Sequence, residues 1–156
     1  MIRGKSSLVS VFHEIGHAKN HLTNANTLGS FFQKHTVNPY LYATAAIIAY
    51  LGVLVPFKKE SSDGKRNKLN KFTNFVKNNV GKLAFIPLIP ILIKEACASI
   101  TGLNDAKKVL TPELYKKSVK MAKFGFASYL INALGISIGA YAACKIKERK
   151  ENNHKK

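Results

Sequence analysis

The sequence predicts an all-α, membrane-embedded helical bundle: one helix carrying His13-Glu14-Ile15-Gly16-His17, followed by three transmembrane helices. Two observations carry that expectation. The first is segregation of charge from apolar residues: 36–57, 83–93 and 124–144 contain no charged side chain. A membrane span needs about 20 predominantly apolar residues. The first and third blocks meet that length, and the middle one meets it when Lys94 and Glu95 lie at its end or face protein. Aromatics at Tyr40, Tyr42, Phe57 and Phe124 stand near the block ends, where interfacial anchors belong. The second observation is the absence of any stretch with the period-2 alternation of a half-buried strand.

The elements follow in order. Ser6 or Ser7 can cap a first helix that runs through Leu8, Val9, Val11, Phe12 and Ile15 to Leu22. Thr23 to Asn26 and Gly29 read as loop, and Asn38-Pro39 opens the first apolar block, which Pro56 closes. Residues 57–82, with eight basic side chains, read as a polar loop. Pro87 and Pro90 place a kink or unwound turn early in the second block. That helix continues through Glu95, Cys97 and Ser99 to Leu110. Thr111-Pro112-Glu113 starts the last helix: a cap, a proline at the first helical position and an acid in the first turn. The expected organisation is a single domain over 1–150, with a basic disordered tail at 151–156 whose disorder begins from Lys145 onward.

Lys and Arg number 25 against 8 Asp and Glu, a formal charge of +17. Such a balance suits an anionic membrane surface or nucleic acid. Nucleic acid ranks last and is not an expected partner, because the charges lie on separate loops without aromatics interleaved on one face. Multi-pass insertion in the plasma membrane is the expected location. No secretory signal is expected, since His13, Glu14 and His17 break the first helix as a hydrophobic leader. Cys97 and Cys144 sit in apolar sequence and read as packing residues.

The chemistry lies in the first helix. At i, i+4 the two imidazoles share one face about 6 Å apart. That spacing lets His13 and His17 hold one Zn²⁺, with Glu14 as general base toward water. A catalytic zinc usually takes a third protein ligand. Only Glu14 and Glu95 among the acids lie in or beside apolar sequence, and a carboxylate there is costly unless paired or metal-bound. Two membrane crossings after the first helix would return Glu95 to its side. His21 competes for the third position. It extends the same face, but each four-residue step turns the bearing by about 40°, so Glu95 is preferred. An ion pair with Lys94 is the plain alternative for Glu95. His35 and His154 read as ordinary loop and tail residues.

Val11-Phe12-His13-Glu14-Ile15-Gly16-His17-Ala18, an apolar hairpin, then Glu95-Ala96-Cys97-Ala98-Ser99 resembles the bacterial membrane-bound neutral zinc metallopeptidases, a gluzincin group. The resemblance spans residues 8–144. It implies an endopeptidase that hydrolyses peptide bonds with a zinc-activated water, His13, His17 and Glu95 as ligands, and Glu14 as the catalytic base. Ser99, one turn after Glu95, is then a hydrogen-bonding support for a ligand. The resemblance also implies an N-terminal anchor and a small upstream domain, which the twelve residues before His13 do not hold. A peptide or protein substrate, the bilayer and a partner protein supplying the upstream region are the expected partners. Two other classes compete: a non-catalytic membrane protein whose HExxH is a relic or a structural metal clasp, and a small basic protein that binds anionic lipid or a partner through its lysines.

Overall fold

The computed structural model describes residues 3–23, 27–54 and 64–153, with side chains described from Ser10 onward and, in the third stretch, at Lys68 and from Asn70 onward. Every regular element among them is helical: α1 (Arg3–Leu22), α2 (Leu28–His35), α3 (Asn38–Leu54), α4 (Gly64–Phe85), a 3₁₀ turn (Ile86–Leu88), α5 (Ile89–Val109) and α6 (Pro112–Asn153). The prolines do what was expected of them, since the 3₁₀ turn contains Pro87 and Pro90 lies in the first turn of α5. Thr111 caps α6 by accepting from the backbone N–H of Leu114 at 3.5 Å.

Three expectations need correction. Residues 64–82 are not a loop, because α4 runs through them. Its inner face is Asn70, Lys77, Val80 and Ala84, all buried. The spacing of seven, three and four residues is helical, but two of the four are polar, which hides the period. The chain from Lys145 is not disordered either, since α6 continues to Asn153. Lys145–Glu148 at 2.7 Å and Lys147–Glu151 at 3.5 Å are the one-turn ion pairs that support an exposed helix end. Finally, α1 is already formed at Arg3, so Ser6 and Ser7 lie within it. The expectations for Asn24–Asn26, Pro56, Phe57 and the end of the tail, His154 included, fall outside the described residues.

Two helical stretches, Asn70–Val109 and Pro112–Asn153, are long and apolar enough to cross a membrane. Leu28–His35 with Asn38–Leu54 passes the same test only as a bent pair. Among the described residues the apolar block at 36–57 contributes α3, 17 residues long, which passes that test only together with α2.

The chain falls into two compact units. One comprises 1–38 and 89–131, hence α1, α2, α5 and the first part of α6. Its centre is the contact of α1 with α5. A Cβ on Gly16 would stand 2.0 Å from the carbonyl oxygen of Ala98, and one on Gly102 would stand 2.0 Å from that of Phe12. Neither position tolerates a side chain, so the two backbones touch. On α5 the buried residues Ile91, Glu95, Ala98, Gly102 and Ala106 form the facing stripe. Asn20 of α1 accepts from Thr101 of α5 at 3.0 Å, and Lys19 pairs with Asp105 at 2.8 Å.

The other unit comprises 39–88 and 132–156. Val80, Ala84, Ala140 and Cys144 form its core, with Ile48 and Ala49 packed against them. Cys144 is buried there and its thiol donates to the carbonyl of Gly52 at 3.4 Å, the packing role expected of it.

Candidate metal centre

Gly16 and Ala98 hold α1 and α5 together, and the residues flanking them face one another. His13 and His17 bracket Gly16 on one helix, while Glu95 and Ser99 bracket Ala98 on the other. The consequence is a triangle. His13 Nε2 and His17 Nε2 are 3.1 Å apart, and Glu95 Oε2 lies 3.2 Å from the first and 3.3 Å from the second.

The Nδ1 atoms point away from that triangle to separate partners. His13 Nδ1 lies 3.1 Å from Ser99 Oγ, and His17 Nδ1 donates to Gln33 Oε1 at 2.7 Å. A proton on Nδ1, which the Gln33 oxygen requires of His17 and the Ser99 hydroxyl permits in His13, leaves the Nε2 lone pairs facing Glu95, the tautomer a metal requires. Ser99 thus stands where the sequence placed it. Gln33 was not foreseen. It sits in α2, an eight-residue helix capped by Thr27, whose hydroxyl accepts from Ser30 N at 3.1 Å. The Thr27 cap was the available signal for that helix; nothing in the sequence pairs Gln33 with His17.

Glu95 is deeply buried, its side chain 5% exposed, and its partners are the two imidazoles. Lys94 turns elsewhere and donates to Asn38 Oδ1. The Lys94–Glu95 ion pair is therefore not formed. The hydrogen bond to Glu95 raises the His17 pKa above the ordinary imidazole value; burial opposes it and the Gln33 bond adds to it. Three potential ligand atoms converge in this buried place, and either a shared proton or a bound cation satisfies them.

The donors fit such an ion. With bonds of about 2.0–2.2 Å at the tetrahedral angle, ligand atoms stand about 3.4 Å apart. Among the described residues His13, His17 and Glu95 form the group whose ligand atoms could hold a metal. His21 is exposed and outside that group, and His35 donates to the carbonyl of Phe31 at 2.8 Å.

A cavity of about 360 Å³ opens beside the group. His13, Glu14, Glu95 and Ser99 line one end of it, and residues of α6 between Ser118 and Tyr129 line the other. Glu14 is exposed and takes no part in the triangle, so its carboxylate is available to a molecule in the cavity. Comparison with protein-family models, curated proteins and solved structures finds no match for this chain.

Proposed function

We infer that this chain is a membrane-embedded, zinc-dependent endopeptidase of the gluzincin type. The observation that carries the reading is the convergence of His13 Nε2, His17 Nε2 and Glu95 Oε2 within 3.3 Å, with Glu14 lining the adjoining cavity. Those three atoms would hold the zinc. A structural zinc site is closed, whereas a catalytic one leaves a position open beside the ligands. The cavity is that opening.

Bound zinc supplies Lewis-acid chemistry, acidifying water and polarising a carbonyl oxygen. The chain's own residues do the rest. Ser99 and Gln33 hold the two imidazoles in one tautomer and orientation. Glu14 takes a proton from the attacking water as its oxygen bonds to the scissile carbonyl carbon. The same proton then goes to the departing nitrogen as the C–N bond breaks, leaving a carboxylic acid and an amine. The substrate class is peptide or protein. Asn70–Val109 and Pro112–Asn153 would cross the plasma membrane, with α2 and α3 as a bent third segment. A partner protein would supply the docking surface for an extended substrate, since no strand is present among the described residues to offer an edge.

A second reading rests on the fact that the triangle joins α1 to α5. A metal there would clasp the two helices whether or not any bond is broken. Glu14→Gln separates the two. It keeps the shape and removes the base, so zinc should remain while chelator-sensitive peptide cleavage falls by orders of magnitude. Equal cleavage by wild type and variant, with zinc in both, would leave the clasp.

A further inference from the structure

The far end of the cavity has a chemistry that metal binding does not use. Past Glu14 and Glu95 its wall includes Phe12, Leu103 and, on one face of α6, Ser118, Ala122, Gly125 and Phe126, while Ser10, Ser128 and Tyr129 add hydroxyls to it. The first four α6 positions fall at i, i+4, i+7 and i+8, so they line up on a single helical face. Three of these four are small. A Cβ on Gly125 would meet no atom within 4 Å, so the space beside it is open. None of these nine residues is charged.

Size and chemistry together narrow the occupant. About 360 Å³ is near the lower limit of roughly 300–1,000 Å³ for ligand pockets. That is room for one large side chain and its backbone, and too little for an extended segment. Phe12, Leu103 and Phe126 favour an apolar group, and no ionic partner awaits a charged one beyond Glu14 and Glu95. A side chain held in this pocket would help to fix a substrate whatever surface its backbone docks on. One buried apolar side chain strengthens binding by roughly tenfold or more.

We propose that this cavity is the specificity pocket of the site. It takes one bulky apolar side chain, of the leucine or phenylalanine class, adjoining the carbonyl presented to Glu14, and Ala122 and Gly125 set its depth. The proposal rests on the peptidase reading for the word substrate. The pocket's preference for an apolar group is testable without turnover.

The probes are two metal-chelating hydroxamates, acetohydroxamate and 3-phenylpropionohydroxamate, titrated calorimetrically into zinc-loaded protein in detergent. The phenyl compound should bind wild type tighter by roughly tenfold or more. Ala122→Leu and Gly125→Leu should each bring that ratio close to one. Acetohydroxamate carries no bulky side chain for the pocket, and its retained affinity reports that the variant is folded with its metal site intact. A ratio near one in wild type, or a ratio that survives in both variants, overturns the proposal. Peptide-library cleavage is read alongside. Glu14-dependent cleavage with no hydroxamate preference would sink the pocket and keep the peptidase. A hydroxamate preference with no cleavage would do the reverse.

Discussion

The Nδ1 of His17 lies 2.7 Å from the Oε1 of Gln33, a hydrogen bond that ties the candidate metal centre to a third helix. α2 is itself tied down: Ser30 Oγ donates to the carbonyl of Thr23 at 2.9 Å, and Gly29 packs so closely that a Cβ would meet Asn20 Nδ2 at 2.9 Å. The acceptor of His17 is thus carried on a supported element, and the ring is oriented by α2 as well as by its own helix.

Gln33→Leu removes that acceptor while keeping most of the side-chain volume. Loss of a hydrogen-bonding support behind a metal-ligating histidine typically costs about 10–100-fold in affinity. A zinc titration against a chelating dye should show a loss of that order. Gln33→Glu restores an acceptor and should hold zinc at least as well as wild type. Equal affinity in Gln33→Leu and wild type would mean that α2 does not orient the ring.

Gly16 and Gly102 make the second prediction. Each lacks room even for a methyl group, because the atom a Cβ would strike is a backbone carbonyl and cannot rotate away. Overpacking typically costs about 1–3 kcal/mol, and relief here requires the helices to part. Gly16→Ala and Gly102→Ala should lower the melting temperature and weaken zinc binding together. Gly139→Ala is the control, since a Cβ there meets nothing within 4 Å. It should leave both measurements unchanged or raise stability slightly.

Much of the site was legible before the fold. The i, i+4 histidines on a helix, the isolated carboxylate of Glu95 in apolar sequence, and Ser99 one turn later all stand together. These were readable because each breaks a rule: a charge in an apolar run is costly, so it points to its own compensation. Gln33 breaks none. A glutamine on a short helix between Phe32 and Lys34 is indistinguishable from a surface residue until the neighbouring helix is placed. α4 was hidden for a related reason. Its eight-basic-residue neighbourhood looks like a solvated loop, and only the packing of Val80 and Ala84 against Cys144 and Ala140 reveals its buried face. The close contact at Gly16 was not legible either, although the glycine lies inside the motif. Its reason is Ala98, which is 82 positions away and on another helix.

Membrane insertion makes the third prediction. Two stretches have the length and apolar content to cross, and large apolar side chains on them are exposed, among them Phe124, Ile131 and Ile138 at 66%, 69% and 63%. An aqueous surface carrying such a run would aggregate, whereas lipid would cover it. Alkaline carbonate washing should therefore leave the protein in the membrane pellet. Release into the supernatant would assign those faces to a protein partner instead.

The final prediction concerns which side chains hold the ion. His13→Ala, His17→Ala and Glu95→Ala each remove one corner of the triangle, and each should lose most of the bound zinc from a starting content of about one per chain. His21→Ala should keep it, because His21 lies outside the group despite its matching helical step. Glu95→Ala has a second consequence. With the carboxylate gone, His17 loses the hydrogen bond that raises its pKa, so its imidazole should titrate at lower pH in the metal-free variant than in metal-free wild type. Proton NMR of the imidazole signals measures that directly, independently of any metal assay. If His21→Ala abolished zinc binding while Glu95→Ala retained it, the third ligand would lie on α1 and the contact between α1 and α5 would have another purpose.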